Sequence, residues 1–139
     1  MLQHIEHIGI AVKNLETATA LYEKLLDQKV YKTESVLSEQ VVTAFFKTGI
    51  NKIELLEASH PDSAIAKFIE KRGEGIHHIA IAVDDIYSEM TRLQQEGFVL
   101  LNDQPKRGAD NKLVCFVHPK SSHGVLIELC QEIPLDESI

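Results

Sequence analysis

Two stretches of the chain repeat one alternation of apolar and polar positions. Residues 5–12 and 76–83 are identical at six of their eight positions. After His7 and His78, an isoleucine or valine alternates with glycine or alanine. Because successive side chains of a strand point to opposite faces, this pattern predicts two strands, each with an aliphatic core face and a second face that leaves room beside the histidine.

A second pair of stretches repeats further along the chain. Residues 52–56 and 126–130 each place a glutamate, Glu54 or Glu128, between aliphatic neighbours, so the glutamate points away from the core face of its strand. Helical and alternating patterns fill the intervals between these stretches. The predicted elements are strand 4–12, helix 14–27 and strands 29–36, 41–48 and 51–57, followed by strand 76–83, helix 85–96 and strands 98–101, 112–118 and 124–131.

Helix boundaries and loops follow from residue types at the junctions. Asn14 is a predicted N-cap, as is Asp84 or Asp85, and Asp62 or Ser63 is predicted to cap a short helix that ends at Gly73. The polar, turn-rich stretch 102–111 is predicted to be a binding loop. The apolar face of the first helix is predicted to comprise Leu15, Ala18, Leu21, Tyr22, Leu25 and Leu26.

The repeat predicts the fold class and the domain organisation. We predict an α+β fold in which two tandem βαβββ modules form a curved mixed sheet around a metal site. Module one is expected at 4–58, a helical connector at 59–75 and module two at 76–132. At 139 residues, these parts are expected to make one domain, 1–139.

Composition and charge narrow the functional classes. A net charge of −7 argues against a nucleic-acid-binding surface, and no apolar run is long enough for a transmembrane helix. Cys115 and Cys130 lie in apolar, strand-like runs, and the N-terminus does not read as a signal peptide. We therefore expect reduced thiols and a cytoplasmic protein without a membrane partner. The residues from Pro134 onwards are expected to form an acidic tail.

The repeated histidines and glutamates are candidate metal ligands. Two imidazoles and two carboxylates suit a divalent cation, and two carboxylate charges neutralise a dication. The sequence therefore predicts one divalent metal ion (cobalt, zinc, nickel or manganese). A local basic excess in this acidic chain indicates an anionic ligand near Lys106, Arg107, Lys112 and Lys120. By alternation, His77 faces opposite to His78 and is expected to be packed. The predicted metal ligands are His7, Glu54, His78 and Glu128.

These residues match a known superfamily. The repeated module with its histidine and glutamate positions resembles the vicinal oxygen chelate superfamily, which includes glyoxalase I, extradiol dioxygenases and antibiotic-resistance proteins. Within it, the chain most resembles the methylmalonyl-CoA epimerases. The resemblance covers nearly the whole chain and is carried by residues 5–12, 75–80 and 83–86 and, above all, by 118–121 followed by 124–129.

The resemblance implies a metal-dependent epimerase. The reaction inverts the α-carbon of methylmalonyl-CoA by proton transfer through an enolate. Glu128 would be one acid/base group and Glu54 a weaker candidate for the other, while Lys120, Lys106 and Arg107 would bind the coenzyme A phosphates. Some epimerases have a second glutamate near the position of Thr43, and a threonine cannot serve as that base.

Two alternatives remain open at this point. A glyoxalase I-type lyase acting on a thiol hemithioacetal would share the ligands but would not favour coenzyme A. A non-catalytic small-molecule binding protein of the same fold would be marked by lost ligands, whereas all four are present here. An exposed sheet edge also leads us to expect a homodimer.

Overall fold

The computed structural model describes residues 1–134, so the tail predicted from Pro134 lies almost entirely outside the described residues. Within them, the chain forms eight strands and three α-helices, the mixed α+β composition that was predicted. The strands and helices are β1 (Leu2–Ala11), α1 (Leu15–Leu26), β2 (Lys32–Val36), β3 (Val41–Thr48), β4 (Asn51–Ala58), α2 (Ala64–Arg72), β5 (Gly75–Val83), α3 (Ile86–Gln95), β6 (Lys106–Arg107), β7 (Lys112–Val117) and β8 (Ile127–Glu132).

The chain divides into two compact units. The first unit comprises His7–His77, and the second comprises Met1–Glu6 together with the chain from His78 onwards. In the first unit the strand order is β2-β3-β4-β1, with β1 and β4 parallel and the other pairs antiparallel. In the second the order is β5-β8-β7-β6, and β5 and β8 are the parallel pair. Each unit thus repeats the same pairing scheme.

A helix covers the aliphatic face of each sheet. Asn14 caps α1 by accepting a hydrogen bond from the Thr17 amide at 2.9 Å, as predicted. Leu21 and Leu25, predicted to share the apolar face of α1, are 62% and 70% exposed, because they lie to one side of the stripe that meets the sheet. The core of the first unit contains Val12, Ala44, Phe46 and Leu55, packed against Leu15, Ala18, Tyr22 and Leu26 of α1.

The second unit is built in the same way. Asp85 caps α3 by accepting from the Ser88 amide at 3.2 Å, which decides between the two predicted caps. Both cysteines are buried and neither forms a disulfide among residues 1–134, and burial raises the pKa of the Cys115 thiol to about 11. The core under α3 contains Val83, Ile86, Met90, Cys115 and Leu129.

The boundaries predicted for strand 98–101 and loop 102–111 are wrong. Only Leu100 forms an isolated bridge, and the strand β6 lies inside the predicted loop. The Asn102 side chain accepts the hydrogen bond of the Phe116 amide, and Pro105 has no amide to donate. These residues interrupt the strand beside β7 and leave two short pieces.

The connector between the repeats is helical, as predicted. Ser63, rather than Asp62, caps α2 by accepting from the Ala66 amide at 3.0 Å, and Gly73 ends the helix at φ +78°. No helix within residues 1–134 combines the length and the apolar character needed to cross a bilayer.

The stability of α3 should depend on a buried carboxylate. The Glu89 side chain is 7% exposed, and it lies 2.7 Å from the Met1 amine and 2.9 Å from the Arg92 guanidinium. The hydrogen bond from the Met1 amine is the main cause that lowers the pKa of Glu89 below its ordinary 4.5, and Arg92 adds to it against the opposing effect of burial.

We expect Glu89→Gln to lower the free energy of unfolding by about 1 kcal/mol at pH 7. A carboxylate whose pKa is depressed stabilises the fold above the pKa of the unfolded chain, and this stabilisation is lost as the pH falls through the folded value. Urea unfolding from pH 7 to pH 3 should therefore show the two proteins converging in acid. Glu96→Gln, at the exposed end of the same helix, is the control; a constant difference at all pH values would contradict this account.

Candidate functional site

The first unit pairs a buried histidine with a buried glutamate. The parallel register of β1 and β4 sets Gly9 beside Glu54, and the His7 side chain lies two residues earlier on the same face. His7 Nδ1 is 3.1 Å from Glu54 Oε2, and the two side chains are 7% and 4% exposed. Because a glycine has no side chain, Gly9 leaves the glutamate room to lie against β1. The predicted facing of His7 and Glu54 is therefore observed.

The second unit repeats this pair. Ala80 of β5 lies beside Glu128 of β8, and His78 Nε2 is 3.5 Å from Glu128 Oε1. The Phe116 ring meets the His78 ring edge-on at 6.0 Å between centroids and lies directly opposite Glu128 in the register of β7 and β8. This contact fixes the plane of the imidazole. Both units therefore present one imidazole and one carboxylate that point away from the helix.

The chemistry of these donors fits a divalent metal ion. Imidazole nitrogen and carboxylate oxygen are ligands that zinc, cobalt, nickel and manganese accept. All four side chains are buried, and a buried carboxylate is costly without a compensating cation or hydrogen bonds. Each pair separately offers the donor types that the sequence predicted, and each is held at close range by backbone pairing.

The predicted basic residues lie in different settings. Lys106 is opposite Val114 in the register of β6 and β7, and Val114 packs with Ala80 and Cys130, on the face that carries His78. Arg107 falls on the other face and donates to Asn111 at 3.2 Å. Lys120 is exposed in the short turn that follows β7. The structure thus distinguishes Lys106, which shares the face of the His78–Glu128 pair, from Arg107, which does not.

His77 is packed, as the alternation predicted. Its ring meets Phe68 of α2 edge-on at 5.0 Å, and burial lowers the pKa of the imidazole to about 4. His60 and His118 accept hydrogen bonds from the Asp62 and Lys120 amides in local turns. These three histidines have structural surroundings that explain them without a ligand.

The face of the first unit that carries His7 extends across all four of its strands; we call it the histidine face. On β3 it includes Thr43 and Phe45, because Ala44 and Phe46 pack toward α1. Phe45 is opposite Glu54, and Thr43 is opposite Leu56. The residues of this face are His7, Gly9 and Ala11 of β1, Lys52, Glu54 and Leu56 of β4, Val41, Thr43, Phe45 and Lys47 of β3, and Lys32, Glu34 and Val36 of β2.

Thr43 is an unusual member of the histidine face. Its side chain is fully buried, and among residues 1–134 its hydroxyl has no hydrogen-bond partner. Buried hydroxyls are nearly always bonded, so an exception needs an explanation such as a bound group. From the sequence, Thr43 was notable only because some epimerases have a glutamate near this position. The sequence did not indicate that its hydroxyl would be buried without a hydrogen bond.

Sequence reasoning missed Lys32 and Glu34 of β2. Thr33 and Ser35 are exposed, whereas Lys32 and Glu34 are half-buried and lie on the histidine face with Val36. Both faces of β2 carry polar residues, so its hydrophobic pattern does not reveal which face is turned inward. The register with β3 provides that information.

Comparison with known proteins identifies the family of this chain. The family model of the Glyoxalase/Bleomycin resistance protein/Dioxygenase superfamily matches residues 6–116. The chain belongs to this superfamily. The match confirms the resemblance that the repeated strands indicated.

Several similar proteins are epimerases. An ethylmalonyl-CoA/methylmalonyl-CoA epimerase from Cereibacter sphaeroides is 40% identical over 133 residues, which cover 94% of this chain and 99% of that protein. A variant of Streptomyces coelicolor methylmalonyl-CoA epimerase, solved with 2-nitronate-propionyl-CoA, aligns with a TM-score of 0.92 at 34% identity over 96% of this chain and 100% of that one. The chain is thus a methylmalonyl-CoA epimerase-like member of the superfamily.

A second similar structure has no stated activity. It is a hypothetical protein from Bacillus halodurans C-125, with a TM-score of 0.90 and 43% identity over 94% of both chains. The fold and the family are therefore established by several independent matches.

The isolated Thr43 hydroxyl leads to a stability prediction. We expect Thr43→Val, which keeps the shape and removes the hydroxyl, to raise the free energy of unfolding of the ligand-free protein by about 1–2 kcal/mol. Thr48→Val on the exposed end of β3 is the control and should change it by less than about 0.5 kcal/mol. Chemical denaturation would measure both; destabilisation by Thr43→Val would mean that the hydroxyl is bonded in solution.

Proposed function

We propose that the chain epimerises methylmalonyl-CoA, or a closely related 2-carboxyacyl-CoA, by moving the proton of the α-carbon from one face to the other. The supporting observation is that each unit has a buried histidine–glutamate pair, in a chain that is epimerase-like over nearly its whole length. The α-hydrogen of such a substrate lies between a thioester and a carboxylate. Its removal as a proton leaves an enolate whose negative charge must be stabilised.

We propose further that the reaction uses one divalent metal ion. His7, Glu54, His78 and Glu128 would hold it, and two glutamates would balance a dication. When bound, the metal would supply Lewis-acid stabilisation of the negative charge of the enolate. Cobalt, zinc, nickel and manganese are all compatible with this donor set.

Glu128 is the acid/base residue that we propose for one side of the α-carbon. Its carboxylate is buried and lies 3.5 Å from His78, whose ring meets that of Phe116, the cross-strand partner of Glu128. A carboxylate held in this way can accept a proton and return it without large movement. Glu54 is close to His7 on the first unit, and we assign it a ligand role only.

The coenzyme A part of the substrate needs cations for its phosphates. Lys106 is the strongest candidate among the predicted residues, because it lies on the face of the second unit that carries His78. Lys120 is exposed and free to reach an anion at the surface. Arg107 points to the other face and is a weaker candidate. The ligand of the Streptomyces coelicolor structure is likewise an acyl-CoA.

Isotope exchange in deuterated water tests the proposed reaction. The metal-loaded protein should exchange the α-hydrogen of methylmalonyl-CoA and interconvert its two epimers, as followed by NMR. Glu128→Gln should slow interconversion by at least about 100-fold, because it removes one acid/base group. Glu96→Gln, which removes an exposed carboxylate of the second unit, is the control and should behave like the unmodified protein.

Two outcomes would contradict the epimerase proposal. One is the absence of α-hydrogen exchange in the metal-loaded protein with either epimer. The other is turnover of the hemithioacetal of methylglyoxal at a higher rate than that of methylmalonyl-CoA, which would favour a glyoxalase-type lyase.

A further inference from the structure

We propose that Glu34 is the second acid/base residue of this reaction. The inference rests on the proposed epimerase function. An epimerase of this kind needs two acid/base groups, one for each face of a planar enolate. The hydroxyl of Thr43 cannot fill that role, so another ionisable side chain must supply the second acid/base group.

The alternation of β2 turns Glu34 toward the histidine face. Its neighbours in sequence, Thr33 and Ser35, are exposed, whereas Val36, two residues further on, is buried. Glu34 itself is half-buried, with 30% of its side chain exposed. The carboxylate is therefore on the inner side of its strand and still accessible to a ligand.

The register then places Glu34 directly across from Thr43. The two residues are cross-strand partners in the antiparallel pair β2–β3, so their side chains lie side by side on one face. Glu34 and Glu54 are the acidic residues of the histidine face as the register defines it. Since Glu54 is paired with His7 and assigned to the metal, Glu34 is the carboxylate that remains for proton transfer.

Lys32 holds Glu34 over this face. Lys32 Nζ lies 3.4 Å from Glu34 Oε1 and 5.0 Å from the centroid of the Phe45 ring. Phe45 is in turn the cross-strand partner of both Lys32 and Glu54. The cation–π contact anchors the ammonium group, and the ion pair orients the carboxylate. Lys32 is thus a positioning residue. Both groups of the pair are partly exposed, so the pair can open when a substrate binds.

The internal repeat supports an asymmetric role for this position. Phe45 and Phe116 lie opposite Glu54 and Glu128, respectively, which makes Thr43 and Val114 equivalent. Their outer cross-strand partners are Glu34 and Lys106. One repeat therefore has a carboxylate where the other has an ammonium group, the former suited to proton transfer and the latter to binding an anion.

The proton transfer balances without a co-reactant. One carboxylate takes the α-hydrogen as a proton while the electrons of the C–H bond pass into the enolate. The carboxylic acid on the other side then gives its proton to the same carbon, and the electrons of the enolate form the new C–H bond. In one direction Glu34 ends protonated and Glu128 ends ionised; exchange with water restores the starting state.

Glu34→Gln tests the inference because it keeps the shape and removes the base. Each epimer would be incubated separately with the metal-loaded protein in deuterated water. We expect interconversion to fall by at least about 100-fold, while one epimer still exchanges its α-hydrogen through Glu128 and the other does not. Metal content and the affinity for coenzyme A should stay within about twofold of the unmodified protein, which separates a loss of proton transfer from a loss of binding.

Matched variants separate the base from its ion pair. Lys32→Gln removes the ammonium group that orients Glu34 and keeps the carboxylate, so it should slow exchange from the Glu34-dependent epimer, but by less than Glu34→Gln does. Glu34→Asp should recover part of the interconversion lost in Glu34→Gln, since it restores a carboxylate. Glu16→Gln, at an exposed position of α1, should match the unmodified protein.

The outcomes distinguish the two proposals. If the unmodified protein exchanges neither epimer, the epimerase function itself is wrong. If the unmodified protein interconverts the epimers and Glu34→Gln does so at a similar rate, Glu34 is not the second base. Equal loss of exchange from both epimers in Glu34→Gln would also overturn the inference, because a base for one face cannot control both.

Discussion

Each unit of this protein depends on one parallel strand pairing. β1 with β4 and β5 with β8 fix the register in which a histidine and a glutamate share the face away from the helix. A shift of one residue in either pair would turn the glutamate into the aliphatic core and an aliphatic residue toward the histidine. The core packing of Leu55 and Leu129 therefore holds the functional side chains in place as well as the fold.

Burial gives these pairs their chemical character. Glu54 is 3% exposed and Glu128 is 7% exposed, a setting in which an ionised carboxylate needs strong compensation. In each unit the carboxylate lies against a histidine, and a bound dication would supply the positive charge that favours a buried, ionised carboxylate. For this reason we interpret the pairs as metal ligands that backbone pairing has arranged in advance, rather than as ordinary structural ion pairs.

The parts of the fold that could be predicted are those with local signals. The repeat, the strand alternation around His7 and His78, and the cap at Asn14 all depend on neighbouring residues, and each is observed. The second strand of the second repeat was predicted at the wrong residues, because the side chain of Asn102 takes the place of a backbone partner of Phe116. Sequence spacing does not report such a long-range bond.

For the candidate site too, the sequence indicated the residues that have a local or repeated signal and missed those that depend on the register of the strands. The proposed ligand residues repeat and so stand out, while Glu34 has no repeated counterpart of its own type. Its significance depends on its cross-strand partner Thr43, and register is a tertiary property. The same holds for the isolation of the Thr43 hydroxyl, which requires a fully packed face. The asymmetry that should determine the reaction is therefore encoded outside the repeated motif.

Metal stoichiometry tests most directly the proposal that the histidine–glutamate pairs bind one divalent metal ion per chain. Protein freed of metal would be titrated with cobalt, and the bound metal counted per chain. We predict one ion per chain, with His7→Ala and His78→Ala each weakening the binding by more than about 100-fold, since loss of a ligand should exceed the effect of losing an outer contact. Two ions per chain, or either variant still binding one ion with unchanged affinity, would contradict the account.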